Sequence, residues 1–250
     1  MKEIKKLSLL LNRVYLNGKI KECVLRVKNK KLIIQSVDMT NSLFLYCSCN
    51  RKGVELEKGS YGIGNLEILC KFFSVIDNNK ENLQIKKEDN KLILSKDNSN
   101  TFKYLLTDTQ VIPTDINQKD AITKITKNSI YEIELEEQFK KEYNSYTSLI
   151  GLQVIQLKMN KNQKVFLCGG REGEHQFEIS LGKASLINKT SDKKKEGIQL
   201  SIYNEHFGSI LQQLKWDGET IPKIKFAPQN PLVIEQNKNN LWALLPITDY

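Results

Sequence analysis

The stretch TDTQVIPTDINQKDAITKITKN, Thr107–Asn128, separates the chain into two parts. It is polar, contains the proline Pro113, and shows neither a two-residue nor a 3.6-residue repeat of apolar residues, which is typical of a connecting segment. A connection of this length is uncommon inside one compact domain. We therefore expect residues 107–128 to link a first domain, residues 1–106, to a second domain, residues 129–250.

The two parts have the same predicted order of elements: an amphipathic helix, short strands, a second amphipathic helix and three more strands. In the first part, the second helix and the last three strands are predicted at Asn65–Ile76, Leu83–Lys87, Lys91–Ser95 and Thr101–Leu106. Their counterparts in the second part are Asn204–Leu214, Lys223–Ala227, Leu232–Gln236 and Leu241–Leu245. The parts share almost no residue identities, so the repeat is one of pattern and spacing.

Each predicted helix has apolar residues at three- and four-residue steps and a polar side with lysine or arginine. The first helix of each part is predicted at Glu3–Val14 and Glu136–Ile150, and Ile76 and Tyr146 are among the helix residues predicted in the core. Further strands are predicted at Cys23–Val27, Leu32–Met39, Leu43–Ser48, Val54–Leu56, Ser129–Leu135, Gln153–Met159, Lys164–Cys168, His175–Leu181 and Ile198–Ile202. The pattern indicates an α+β fold of two similar domains, each with antiparallel sheets and two helices on one face.

The charge of the chain favours a polyanionic partner. Its 250 residues include 38 basic and 29 acidic side chains, a net charge of +9. A lysine-rich composition imposed by an AT-rich genome, such as that of a virus or phage, explains the excess equally well. Arginine is scarce, which disfavours the reading of bases, because bidentate contact to guanine is largely made by arginine. Lysine can neutralise phosphates as a point charge, whatever the sequence of the nucleic acid.

Residues that enzymes use are few. His175 and His206 are the only histidines, and both are expected at the surface. The sequence has no nucleophile elbow, zinc-protease motif or Cys-x-x-Cys pair. The GSYGIGN stretch before the second helix, Gly59–Asn65, suits a turn into that helix better than a phosphate cradle. We therefore expect no catalytic residue, no metal and no cofactor.

The sequence also predicts the compartment. It has no apolar run of about 18 residues and no secretion signal, so no membrane association is expected. The five cysteines are an odd number without the spacing of a disulfide framework, which indicates reduced thiols. We expect an intracellular, reducing compartment: the host cytoplasm for a phage or viral protein, or the nucleus.

Three stretches resemble the DNA sliding clamps, both proliferating cell nuclear antigen and the clamps of tailed phages. Leu32–Asp38 is similar to the clamp strand that ends in a hydrophobic residue and aspartate. Tyr61–Leu66, followed by Phe72–Ile76, is similar to the phage-clamp helix that follows an aromatic-containing strand. Pro231–Glu235, followed by Leu241–Pro246, is similar to the last hairpin of the antigen.

The resemblance implies a function without enzymatic activity. Sliding clamps are rings of two-domain chains, trimers in this size class, that encircle duplex DNA and give polymerases processivity. Their helices line the hole and contact DNA without regard to sequence. The helix residues that would contact DNA here are Lys5, Lys6, Arg13, Lys71, Lys140, Lys141 and Lys215. The alternative for each is an ordinary solvated lysine or arginine.

The resemblance also implies a pocket and a subunit interface. Short apolar-aromatic peptides of the polymerase, the clamp loader and other factors would bind in a pocket formed by Val37, Val111, Ile112, Pro113, Pro231, Leu232 and Pro246. Alternatively, Val111 and Ile112 pin the linker to its own domain. Subunits of a homotrimer would pair the edge strands Thr101–Leu106 and His175–Leu181, with Phe102, Tyr104, Phe177 and Ile179 at the interface.

Two other functions stay open at this point. One is a transcription or interaction factor that has the clamp fold but does not encircle DNA. The other is a small nuclease or other enzyme on a duplicated α+β fold, which the lack of clustered acidic residues and histidines disfavours.

Overall fold

The computed structural model shows two compact units. The first comprises Met1–Met39 and Leu45–Lys119, and the second comprises Thr40–Phe44 and Asp120–Tyr250. The structure describes residues 2–52, 54–77, 83–96, 100–113, 124–170, 173–188, 197–216 and 219–247. None of the helices in these ranges is long and apolar enough to cross a membrane.

The first unit contains two helices and two antiparallel sheets. The elements in chain order are α1 (Lys2–Tyr15), a 3-10 turn (Leu16–Gly18), β1 (Cys23–Val27), β2 (Lys31–Val37), β3 (Leu43–Asn50), β4 (Gly59–Ile63), α2 (Leu66–Asp77), β5 (Leu83–Glu88), β6 (Lys91–Lys96) and β7 (Asn100–Leu105). One sheet has the order β3-β2-β1-β4 and the other the order β5-β6-β7.

The second unit repeats this plan with additional strands. Its elements are α3 (residues 124–128), β8 (Tyr131–Glu134), α4 (Glu137–Ile150), β9 (Val154–Met159), β10 (Lys164–Gly169), β11 (Phe177–Lys183), β12 (Ser185–Leu186), β13 (Ile198–Tyr203), α5 (Asn204–Gln213), β14 (Lys223–Phe226), β15 (Leu232–Asn237) and β16 (Asn240–Leu244). One sheet has the order β11-β10-β9-β13, and the other runs β12-β8-β14-β15-β16.

In the first unit, α1 and α2 pack side by side and bury one side each. Leu7, Leu11 and Val14 of α1 are buried, and so are Leu69 and Phe73 of α2. These positions fall at three- and four-residue steps, so a single apolar stripe per helix suffices to build this core. The polar sides of the helices are left toward solvent.

In the second unit, an aromatic cluster joins α4 to α5. The ring centroid of Phe207 lies 6.3 Å from that of Phe139 and 5.5 Å from that of Tyr143, both in edge-to-face geometry. Gly208 makes this approach feasible, since a Cβ at that position would lie 2.9 Å from the Tyr143 hydroxyl. The two helices therefore hold each other through rings rather than through aliphatic side chains.

The second helix of each unit begins at an asparagine whose backbone is hydrogen-bonded to a tyrosine hydroxyl. In the first unit, the Tyr104 hydroxyl donates to the Asn65 carbonyl at 3.0 Å and accepts from the Asn65 N–H at 2.8 Å. The Asn65 side chain caps α2 by accepting from the Ile68 N–H at 3.1 Å. In the second unit, the Tyr143 hydroxyl donates to the Asn204 carbonyl at 3.1 Å. The same contact thus fixes two helix starts that share little other sequence.

The glycines of the GSYGIGN stretch serve the close approach of Thr107. The Thr107 N–H donates to the Gly62 carbonyl at 2.9 Å. A Cβ on Gly62 would lie 2.0 Å from the Thr107 carbonyl oxygen, and one on Gly64 would lie 2.1 Å from the Thr107 hydroxyl. Glycine is therefore required at position 62, where the chain leaving β7 pairs with β4 through its backbone, and Gly64 gives room to the Thr107 side chain.

The predicted fold class is confirmed, as are the four long helices and most strands. Three details were wrong. Val54–Leu56 is a buried segment without strand pairing, Gly59–Ile63 is a strand rather than a turn, and residues 124–128 of the predicted connector are helical. His206 is buried rather than at the surface, and His175 is exposed as expected. The side chain of Ile76, predicted in the core, lies outside the described residues.

We predict that Gly62→Ala destabilises the first unit by about 1–3 kcal/mol, because the added methyl group must displace backbone rather than a flexible side chain. Equilibrium unfolding in urea measures the loss. Ser60→Ala, at an exposed position of the same strand, is the matched control and should stay within about 0.5 kcal/mol of the parent. Equal stability of both variants would contradict the assigned role of Gly62.

Candidate functional site

The first unit carries its basic helix residues mainly on α1. Lys5 is exposed, while Lys6 and Arg13 are half-buried. Burial raises the pKa of the Cys49 thiol of β3, and the nearby charges of Lys6 and Arg13 offset part of that rise. On α2, the exposed Lys71 ammonium pairs with Glu67 at 2.5 Å. An exposed pair of this kind contributes little to stability, so Lys71 can exchange Glu67 for another anion.

The second unit carries its basic helix residues on α4. Lys141 is exposed, and the Lys140 ammonium lies 5.3 Å from the ring centroid of Trp216. Lys215 is also exposed, but it follows the end of α5 at Gln213, and its backbone N–H donates to the Gln236 side chain at 2.7 Å. The expectation that all four helices carry lysine or arginine is therefore wrong for α5.

The charge is distributed unevenly among the four helices. α1 contains four basic residues and one acidic residue, whereas α4 contains two of each. α2 has one lysine against Glu67 and Asp77, and α5 has no basic residue. Of these four long helices only α1 has a positive net charge, so it supplies most of their attraction to phosphates.

The four predicted interface side chains pack within their own units. Phe102 of β7 stacks on Phe72 at 4.2 Å between ring centroids, and Tyr104 binds the start of α2. Phe177 and Ile179 of β11 are buried. These residues support the edge strands instead of facing outward from them. Among the described strands, β7 bonds only to β6 and β11 only to β10, so each has one unpaired edge.

Exposed apolar residues that the sequence analysis missed lie beside these two edges. On α4, Leu149 is 80% exposed, and the neighbouring Tyr146 stacks on Phe177 at 5.6 Å. Near β7, Val75 at the end of α2 is 63% exposed and Leu105 is 61% exposed. Leu149 and Val75 each interrupt the polar side of a helix, which is the sequence signal that would have found them. The prediction that Tyr146 belongs to the core was wrong.

The predicted pocket residues of the first unit differ in exposure. Ile112 is buried, with its Cδ1 3.2 Å from the place a Gly62 Cβ would take, while Val111 is 68% exposed and Pro113 is exposed. Val37 is buried at the end of β2. Ile112 therefore packs against its own unit, whereas the side chain of Val111 is exposed.

In the second unit, Leu232 is buried in β15, and Pro231 and Pro246 are half-buried. The chain after β16 is held by two backbone hydrogen bonds, from Leu245 N–H to the Ser42 carbonyl at 2.9 Å and from Ile247 N–H to the Ser201 carbonyl at 2.8 Å. Pro246 lies between them and is therefore fixed in place.

The described residues offer little chemistry beyond binding. They contain no group of three or more histidine, cysteine, aspartate or glutamate side chains suited to a metal ion. All five cysteines are free, and burial raises the pKa of both Cys47 and Cys70 to about 12. A thiol with such a pKa is protonated at neutral pH and is a poor nucleophile.

Comparison with known proteins decides the fold. No protein-family model matches the chain, and no curated protein matches it. Among solved structures, PCNA from Thermococcus kodakaraensis has a TM-score of 0.68 at 14% identity, over 97% of this chain and 96% of its own. The chain has the fold of the DNA sliding clamps.

Two further clamps extend the likeness. The DNA polymerase sliding clamp from Pseudomonas aeruginosa has a TM-score of 0.71 at 10% identity, over 98% of this chain and 64% of its own. The Helicobacter pylori beta clamp bound to a DNA ligase peptide has a TM-score of 0.68 at 17% identity, over 98% of this chain and 65% of its own. The chain spans almost all of the Thermococcus protein but less than two thirds of these two clamps.

We predict that only the half-buried thiols react quickly. At pH 8, Ellman's reagent should modify Cys49 and Cys168 within minutes and reach Cys23, Cys47 and Cys70 only after unfolding. Burial raises the pKa of all five thiols, so labelling should accelerate with rising pH. Peptide mapping of the modified sites measures the pattern, with the denatured chain as the control. Rapid labelling of Cys47 would contradict the packing of β3.

Proposed function

We propose that the protein is a DNA polymerase processivity factor, a sliding clamp whose copies close into a ring around duplex DNA. The observation that carries the proposal is the clamp fold along nearly the whole chain, with each unit placing a pair of helices on its sheets. Such a ring acts by topology rather than by affinity, so it needs no catalytic group. We propose that residues 107–128 join its two domains.

We propose that ring closure joins the free edge of β7 in one copy to the free edge of β11 in the next. Backbone hydrogen bonds would satisfy both edges. The exposed Leu149 and Tyr146 beside β11 would meet Val75 and Leu105 beside β7, which supplies the apolar contact that a stable interface requires. The resemblance to proliferating cell nuclear antigen, which the chain matches in length, supports three copies per ring.

The proposed DNA contact is electrostatic. Lys5, Lys6 and Arg13 of α1 supply the positive helix, and Lys71, Lys140, Lys141 and Lys215 add separate charges. A ring that slides gains from weak, sequence-independent contacts to phosphates, which fits a chain with many lysines and few arginines.

We propose that Val111, Pro113, Pro231 and Pro246 bind short apolar-aromatic peptides of the polymerase, the clamp loader and other factors. Val111 has the exposure that such a contact needs, and Pro246 is fixed between two backbone hydrogen bonds. The Helicobacter pylori clamp, which has the same fold, has been solved with a DNA ligase peptide bound. Val37, Ile112 and Leu232, which are buried, complete the set of residues that the resemblance implies for this pocket.

One observation favours a second function, an interaction or transcription factor with the clamp fold that does not encircle DNA. Three of the four long helices carry no net positive charge. A protein of this kind would keep the peptide contacts around Val111 but would show no topological hold on DNA.

We predict that Leu149→Asp weakens ring assembly, because it places an unpaired charge inside the proposed apolar contact. Native mass spectrometry should show trimers for the parent, and the variant's assembly should need at least about tenfold more protein. Ile221→Asp is the matched control, since Ile221 is exposed but distant in sequence from both edge strands. A parent that stays monomeric at micromolar concentration would overturn the proposed ring.

We predict that the protein, assembled from subunits in the presence of DNA, resists a high-salt wash on nicked circles and is lost once the circles are cut. Retention on both forms would contradict encirclement and would favour the second function.

The double variant Lys5→Glu/Lys6→Glu should weaken the low-salt DNA binding that precedes loading. If both lysines contact phosphates, the log–log salt dependence should flatten by roughly one to two for each copy that is bound. Lys161→Glu/Lys164→Glu, on the exposed hairpin between β9 and β10, changes the net charge equally and should have a smaller effect.

A further inference from the structure

The outer edge of β5 lacks the strand that covers its counterpart in the second unit. After α2 come β5, β6 and β7, just as β14, β15 and β16 follow α5. In the second unit β8 pairs with β14, whereas no described strand pairs with β5 on the side away from β6. We propose that this edge binds an extended segment of a partner protein, which adds as an antiparallel strand and alternates acidic with apolar residues.

The pairing of β8 with β14 shows which kind of strand binds to such an edge. Ile133 of β8 lies opposite Ile224, and both are buried. On either side of Ile133, Glu132 and Glu134 accept from the Lys223 ammonium at 2.8 and 3.2 Å. Glu132 also lies 3.7 Å from the Lys225 ammonium. The strand that fits here therefore alternates glutamate with an apolar residue.

Two residues of β5 repeat those of β14, while Gln84 takes the place of Lys223. Ile85 is buried and lies opposite Leu94 of β6, as Ile224 lies opposite Ile234 of β15. Lys86 follows Ile85 as Lys225 follows Ile224. The β5 edge therefore presents an apolar position next to one cation, where β8 meets an apolar position between two lysines in the second unit.

The cation of β5 is available to a partner. The Lys86 ammonium pairs at 2.5 Å with Glu88 of the same strand, and the two side chains are 60% and 53% exposed. A pair so exposed is weak, so a glutamate on an added strand can replace Glu88. By contrast, the Lys225 side chain is only 16% exposed in its ion pairs.

The charge of the edge also argues against self-association through β5. Two copies paired edge to edge would bring Lys86 and Lys87 of one copy against those of the other, and like charges across a strand pair are destabilising. Lysines on an exposed edge are a common means of preventing such pairing. An acidic strand would be attracted to these lysines. The same lysines that repel a second copy therefore favour this partner.

The test uses the full chain and a capped, fluorescent peptide of sequence SIYEIELE, which is residues 129–136. Fluorescence anisotropy should detect binding at peptide concentrations up to about 1 mM. Hydrogen exchange should show new protection confined to Leu83–Glu88. Absence of binding, or protection at β7 or β11 instead, would overturn the proposal.

Two variations separate strand pairing from simple charge attraction. N-methylation of the peptide at one of two adjacent residues should abolish binding while the other is tolerated, because alternate N–H groups of an added strand face β5. Tolerance of both methyl groups would contradict strand addition. Lys86→Glu should weaken binding about two- to fivefold, the size of one exposed charge pair, and a peptide with lysine at both inner glutamates should recover it.

Lys164→Glu, on the exposed start of β10, is the control and should leave the affinity unchanged. The proposal depends on the strand order of the first unit and not on ring closure. A chain that binds the peptide but stays monomeric would therefore refute the ring and support the β5 site. A chain that forms trimers but does not bind the peptide would support the ring and refute the β5 site.

Discussion

Each of the four long helices that the structure describes has one apolar side, and the packing of that side decides where its charges lie. In the first unit α1 and α2 bury aliphatic residues and Phe73. In the second unit Phe139, Tyr143 and Phe207 interlock between α4 and α5. With these sides buried, Lys5 and Lys141 lie on the opposite sides of their helices and are exposed to solvent. Such a surface of lysines on rigid elements can contact a polyanion without specificity for sequence.

The same tyrosine–asparagine contact appears in both units although the tyrosines come from different elements. Tyr104 is on a strand and Tyr143 is on a helix, yet each binds the asparagine that starts the second helix. A buried hydroxyl needs a partner, and the backbone groups of a helix start need partners too, so each satisfies the other. This contact fixes the second helix of each unit at its N-terminal end.

Periodicity was sufficient to predict the elements that have one buried side, which are the helices and most of the strands. Periodicity failed where the local structure depends on a contact between residues that are distant in sequence. Gly62 and Gly64 looked like a turn because nothing local shows that Thr107 passes against them. Val54 and Leu56 alternate like a strand but pack without pairing, and His206 is buried although it was expected at the surface.

The candidate site was predicted less completely than the fold. The lysines of α1, α2 and α4 could be located because they lie on the polar side of a helical wheel. Which strands end a sheet cannot be deduced from alternation alone, so the inward packing of Phe102, Tyr104, Phe177 and Ile179 was missed. The exposed Leu149 and Val75 were also overlooked, although each interrupts an otherwise polar side.

The most direct test of the proposed clamp is an electron-microscopy image of the purified protein, lightly cross-linked to prevent dissociation on the grid. The account predicts closed rings of three copies around an opening wide enough for duplex DNA. Compact particles without an opening, or single copies at every concentration, would contradict it.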